Sequence, residues 1–131
     1  MGTTSQAQHL GDVIGRYRFA YLMTTNAKGA PHAVMVSAAL DATEIVVEGI
    51  GRRTRENASA RPAVGLVWPP PSESEHSLIV DGAATIVGDT LRIVPTRAVL
   101  HRSAPRDPPD PSVSCVSDCV ELGFDTTRRT T

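Results

Sequence analysis

The sequence predicts a mainly β fold, an antiparallel barrel or sandwich of six short strands with only small helices beside them. Three observations predict it. Short runs rich in Val, Ile, Leu, Met and Thr recur along the chain, each ended by a turn signal or by proline. Strands do not alternate with long helical patterns, so βαβ units are not expected. Gly-x-Gly-x-x-Gly and the P-loop are both missing, which argues against the Rossmann and P-loop nucleotide folds.

The elements follow in order. Leu10, Val13, Ile14 and Tyr17 repeat at helical spacing, which predicts a short amphipathic helix within Ser5 to Arg18, weakened by Gly11 and Gly15. Phe19 to Thr25 is aromatic and β-prone, and Asn26-Ala27-Lys28-Gly29 is a hairpin-type turn. Pro31 to Leu40 is the return strand. Asp41-Ala42-Thr43 turns the chain into a third strand, Glu44 to Glu48. A short helix follows in the arginine-rich stretch that ends at Pro62. Ala63 to Trp68 is the fourth strand, stopped by Pro69, Pro70 and Pro71, which cannot donate to a ladder.

Ser77 to Val87 is the fifth strand, with a bulge expected at Asp81-Gly82. Gly88-Asp89 turns into the sixth, Thr90 to Val94. Pro95 to His101 is expected to start a helix, with Pro95 in its first turn. From Ser103 the composition shifts to Pro, Ser, Asp and Arg, which predicts an extended or partly disordered tail.

A chain of 131 residues suits one domain, here residues 1–102, followed by the tail 103–131. A net charge of -1 excludes the global basic field of a non-specific nucleic-acid binder. The aromatic side chains are two Phe, two Tyr and one Trp, too few for a base-stacking surface, so the core must come from aliphatic residues. No apolar run reaches the length of a membrane span and no signal-peptide pattern opens the chain, so a soluble cytoplasmic protein is expected. Cys115 and Cys119 do not make a disulfide framework, and with three residues between them they do not make the paired spacing of a zinc site.

Charge concentrates in one place. Gly51 to Pro62 carries Arg52, Arg53, Arg55 and Arg61 between two strands, with a glycine turn leading into a helix start. Backbone N–H groups at a helix N-terminus and guanidinium forks together suit a phosphate. A solvated helix face would explain the same charges.

Three segments in this order resemble the pyridoxamine 5′-phosphate oxidase-like, FMN-binding split-barrel family, which includes deazaflavin-dependent reductases. They are the hairpin Tyr21 to His32, the run Arg52-Arg53-Thr54-Arg55-Glu56-Asn57 through Val64, and the strand Ile79-Val80-Asp81-Gly82-Ala83 through Val87. The resemblance covers about Tyr17 to His101. It implies a six-stranded antiparallel split β-barrel and a homodimer with the cofactor groove at the subunit interface. It places the phosphate-gripping Arg on Arg53 and puts Thr54 where the family has Lys, leaving Arg52 and Arg55 to replace the lost charge. Backbone facing the flavin ring would come from Val34, Met35, Val36 and Ser37, with further contacts from Val47, Glu48, Asn57 and Ser77. Glu48 stands where the family often has Thr or Ser. An acid beside a phosphate repels it, so Glu48 is expected to pair with Arg53 or Arg55 instead.

In such a family the cofactor carries the redox chemistry and the protein binds, orients and sets polarity. The resemblance therefore implies an FMN-dependent oxidoreductase acting by hydride transfer on a small-molecule substrate. Coenzyme F-420 is the alternative cofactor, and a non-catalytic flavin- or haem-binding module is the alternative function. No catalytic residue is assigned. His32, His76 and His101 each stand alone, and His101 beside Arg97 and Arg102 would suit an anionic substrate. The tail lacks the Arg-Leu motif of the true pyridoxamine phosphate oxidases, so a vitamin B6 enzyme is not expected.

Overall fold

The computed structural model describes residues 9–103 and 117–124. Helix α1, Leu10–Val13, runs into a 3-10 turn at Ile14–Arg16. On its C-terminal side the α-helix stops at Val13 and tightens to a 3-10 turn before Arg18, with Gly11 inside it and Gly15 in the turn lowering helix propensity, while residues 5–8 of the expected helix lie outside the described residues. Strands β1 (Ala20–Thr25), β2 (Pro31–Val36), β3 (Ala38–Asp41) and β4 (Glu44–Glu48) follow, then helix α2, Arg52–Ala60. Strands β5 (Ala63–Trp68), β6 (Ser77–Val87), β7 (Thr90–Ser103) and β8 (Ser117–Glu121) complete the sheet.

These eight strands form one antiparallel sheet in the order β2-β1-β5-β6-β7-β4-β3, with β8 paired to the far half of β7. The count is eight rather than six. The expected return strand is broken at Ser37 into β2 and β3, which occupy opposite ends of the sheet path. No ladder among the described residues joins those two ends, so the sheet stays open, with β2 facing the β3–β4 end across the gap.

The expected helix over Pro95 to His101 is instead the second half of β7. Partners on both flanks explain this. β6 pairs with β7 along its length, β4 holds its first residues, and β8 holds Val99 to Ser103. Proline inside a strand normally removes a ladder bond. Here Pro95 sits opposite Gly82 at a register shift, where Thr96 is the extra residue and its hydroxyl donates to the Asp81 carbonyl at 3.2 Å. The bulge at Asp81-Gly82 therefore appears where the sequence puts it.

Inward-facing side chains alternate along the strands and form one core. Leu22, Ile45, Leu66, Leu78, Leu91 and Ile93 are fully buried in it, together with Trp68 at the end of β5. The Asn26–Gly29 turn is held by the Asn26 side-chain oxygen, which accepts from the N–H groups of Lys28 and Ala30, while Gly29 takes φ +83°. Within the segment expected as an extended tail, β8 leads to a buried Leu122, whose N–H donates to the Ala98 carbonyl. Gly123 then accepts from the Leu10 N–H at 2.8 Å, so this segment covers α1. The Tyr17 hydroxyl donates to the His76 carbonyl at 2.8 Å, and burial raises its pKa above the usual phenol value.

Candidate functional site

The open seam between β2 and β4 is a groove. On β2, His32, Val34 and Val36 are the half-buried, inward-turned positions, opposite Thr24, Leu22 and Ala20 of β1. On the other wall are Val47 and Glu48 at the end of β4. Gly49, at φ +74°, then turns the chain. Ile50 is buried and its N–H donates to the Asp89 carbonyl, which fixes the approach of Gly51 to the start of α2.

The cavity so formed has a volume of about 450 Å³ and is lined by these residues with Met35, Arg52, Arg53 and Thr54. That size falls in the ordinary range for small-molecule and cofactor sites. A second hollow of about 640 Å³ continues it past Val36 and Glu48 toward Ser37, Ala38 and Ala39. The whole trough therefore has an apolar stretch of Val side chains and one strongly polar end.

The polar end is the N-terminus of α2. Gly51 caps it with backbone only, and the first turn holds no acidic residue. The leading N–H groups are thus left to solvent or a ligand, and the helix dipole favours an anion there. Arg53 is exposed and makes no hydrogen bond or ion pair within the described residues. Arg52 reaches Glu56 at 3.6 Å, an exposed i,i+4 pair that contributes little. Glu48 lines the groove, and the expected pairing with Arg53 or Arg55 does not form within the described residues. Glu48 leaves β4 before the Gly49 turn, whereas the arginines start after it, and no bridge spans the two.

The structure thus brings Val34, Met35, Val36, Val47, Glu48, Arg52, Arg53 and Thr54 to one groove, with Ser37 on its continuation. Arg55 and Ser77 do not line it. Ser77 opens β6 opposite His101 of β7. Asn57 lines an adjacent hollow of about 370 Å³ with His32, Arg53, Glu56 and Arg61. Its side-chain amide donates to the Thr24 hydroxyl at 3.0 Å, and both residues are buried, as is Thr54.

This bond ties α2 to β1 and so sets the groove's polar end. Asn57→Ala should lower stability by about 1–3 kcal/mol, because it leaves the Thr24 hydroxyl buried without that donor. Urea unfolding monitored by Trp68 fluorescence checks it.

The trio expected around His101 is not assembled as an anion receiver. Arg97 pairs with Asp81 at 3.8 Å and with Glu121 at 3.5 Å, and Arg102 donates to the Ser74 carbonyl at 3.0 Å. Alternation along β7 turns Arg102 to the face opposite His101, and Arg97 is drawn to its own acidic partners. Gly51 of the expected glycine turn lines the groove, and so do Gly49 and Ile50, which the sequence reading does not single out although a Gly-x-Gly before a basic helix is a legible signal for close backbone approach.

Among the described residues no three His, Cys, Asp or Glu side chains gather as a metal site, and no helix is long and apolar enough to cross a membrane. Cys119 lies exposed on β8, and Cys115 falls outside the described residues.

No protein-family model matches the chain. Uncharacterized proteins of Mycobacterium bovis and Mycobacterium tuberculosis are each 40% identical to it over 129 residues, covering 86% of this chain and 91% of theirs. Among solved structures, a putative pyridoxamine 5′-phosphate oxidase from Listeria innocua superposes with a TM-score of 0.60 at 14% identity, over 70% of this chain and 94% of that one. An F-420 reductase gives 0.55 at 16% identity, over 75% and 96%. A haem binding protein from Mycobacterium smegmatis gives 0.56 at 13% identity, over 67% and 50%. At these identities the likeness is one of fold.

Proposed function

We propose, for a chain that belongs to one family with the two mycobacterial proteins and has the pyridoxamine 5′-phosphate oxidase-like split-barrel fold, that it binds a phosphorylated flavin or deazaflavin and serves as an oxidoreductase. One observation carries this reading. Arg53, which has no partner among the described residues, stands beside a helix N-terminus without a side-chain cap at the end of an apolar groove. The donor set fits the group: fixed N–H donors and a guanidinium fork for phosphate, and flat apolar walls of Val34, Val36 and Val47 for a ring system.

When bound, the cofactor would supply hydride transfer to or from a small substrate. The protein's own part is to hold and orient. Arg53 and the first N–H groups of α2 grip the phosphate. The backbone from Val34 to Ser37 would run along the ring, and the valine side chains would keep water from it. Glu48, which lines the groove with no ion-pair partner among the described residues, disfavours an extra anion beside it. Titration with FMN and with coenzyme F-420, followed by absorbance and fluorescence, tests the reading. Saturable binding of either is expected. A protein that takes up neither, or that takes up haem with a Soret band instead, overturns it.

The homodimer belongs to the same proposal. Tyr21 and Met35 are paired across β1 and β2 on the outer face, 42% and 65% exposed, with Met23 and Ala33 beside them. An apolar outer face that also reaches the groove at Met35 suits a second copy of this chain. Met35→Glu should leave the fold intact and shift a dimer to monomer. Light scattering after gel filtration checks it, and a monomeric unmodified protein would count against the dimer.

A further inference from the structure

The trough does not end at Arg53. The adjacent hollow of about 370 Å³ opens there, and His32 and Arg53 line both, the His32 Nδ1 being sealed from solvent. Helix spacing builds one side of the hollow. Arg53, Asn57 and the C-cap residue Arg61 follow at i, i+4 and i+8, so α2 turns all three the same way. The β1–β2 turn adds Asn26.

The charge in this hollow suits an anion other than the phosphate at Arg53. Arg61 lies eight residues further on, about 12 Å along the helix axis. Its Nε donates to the Thr25 carbonyl at 2.9 Å, which holds the guanidinium at the far end. Its two Nη groups have no partner among the described residues. The Asn26 side-chain oxygen accepts from the Lys28 and Ala30 N–H groups, so its NH2 remains as a donor. Glu56 is the acid among the lining residues, exposed and drawn to Arg52 at 3.6 Å. Two guanidinium groups against that one carboxylate leave the hollow net positive.

The groove points the same way. A terminal phosphate carries about 1.5 to 2 negative charges at neutral pH, and a phosphodiester carries about one. Arg52 is engaged by Glu56, Thr54 is neutral and Glu48 adds an acid. Arg53 and the helix start therefore match the single charge of a diester better than the double charge of a monoester.

We propose that the hollow at Arg61 is a second anion subsite, and that the groove takes a flavin or deazaflavin whose phosphate is a diester with a further anionic group beyond it. The proposal rests on the flavin reading above. Arg53 holds the diester, and Arg61 with the Asn26 amide receives the second anion. The carboxylate tail of coenzyme F-420 and the second phosphate of FAD share this chemistry. FMN, which ends in a monoester, leaves the hollow empty.

Two ligand pairs test it, each sharing one ring system: coenzyme F-420 against its ring–ribityl monophosphate, and FAD against FMN. All four are titrated by fluorescence into the unmodified protein, Arg61→Ala and Arg61→Lys. In at least one pair the tailed member should bind about tenfold tighter or more, the gain expected for one hydrogen bond between charged groups. A gain in the F-420 pair identifies the anion as carboxylate, and a gain in the FAD pair identifies it as phosphate. Arg61→Ala should abolish the gain and leave the monophosphate within about twofold, with Arg61→Lys, which keeps the charge but loses the fork, in between. Equal affinities within both pairs, a gain that survives Arg61→Ala, or equal weakening of both members overturns the subsite and leaves the flavin reading standing. An unmodified protein that binds none of the four removes the flavin reading, and the subsite falls with it. If Arg61→Ala does not fold, the pairs on the unmodified protein and on Arg61→Lys decide: the gain must appear in the first and shrink in the second.

Discussion

Arg53→Ala should weaken binding of FMN, or of coenzyme F-420, by about a hundredfold. The estimate follows from the kind of contact. A bidentate guanidinium–phosphate pair supplies two charge-assisted hydrogen bonds, each among the stronger polar contacts available to a protein, and about 3 kcal/mol converts to about two decades in affinity. Arg53 needs no release from an intramolecular partner, since none holds it within the described residues. Arg52 cannot substitute fully, because it is displaced one position along α2 and its guanidinium leans to Glu56. Arg97→Ala, which removes an equal charge from a pair with Asp81 and Glu121 outside the groove, should change the affinity by less than about twofold. Isothermal titration checks both variants. Equal losses in the two would show that bulk charge, rather than the built phosphate end, drives binding.

Gly82→Ala should give the largest loss of stability of any single methyl added to this chain's described glycines. A Cβ at Gly82 would lie 2.5 Å from the Ile93 side chain and 2.6 Å from the Val94 carbonyl oxygen. The oxygen is the harder constraint, because it is backbone of the β6–β7 ladder, where Val94 pairs with Ala83 beside the register shift. The Ile93 side chain must give way at the same time, and Ile93 is paired with β4 as well as β6. Overpacking of this sort costs about 3 kcal/mol, which in a domain of this size lowers Tm by roughly 10 °C. Gly15→Ala meets nothing within 4 Å and should stay within about 0.5 kcal/mol. Calorimetry distinguishes the two outcomes. A Gly82→Ala protein as stable as the unmodified one would mean that the bulge opens freely, and that β6 and β7 are not locked at Pro95.

The same bulge shows how far the sequence could be read. Asp81-Gly82 announced an irregularity inside a strand, and the structure places it there. Pro95 was the opposite case. Locally it is a good first residue for a helix, and Ala98, Val99 and Leu100 do nothing to contradict that. The decision came from ladders on both sides of β7, which no window of local sequence contains. Ser37 is similar. Its neighbours read as one continuous strand, yet the chain must leave the β1 ladder there to reach β4 on the far side of the sheet.

The candidate site divides along the same line. Arg53 and Thr54 of the basic helix start reach one groove with the valines of β2, as the resemblance implied. Arg55 belongs to the same motif as Arg53 but helix periodicity turns it off the seam, and Ser77 starts β6 opposite His101, away from the groove. Asn57 is drawn into a buried bond with Thr24. His32 carries no mark in the sequence to distinguish it from His76 or His101. Only its position opposite Thr24, with Nδ1 sealed and beside Arg53, sets it apart.

By itself, then, the sequence determined the β class, most strand limits, the turns and the basic helix start. Each of these is set by residues within a few positions of one another, through alternation, turn chemistry and charge. Tertiary structure alone decided the break at Ser37, the extension of β7 past Pro95, the capture of β8 and Leu122, and the meeting of His32 with Arg53. Those depend on pairings between distant segments, where a ladder or a buried hydrogen bond outweighs the preference of any local run.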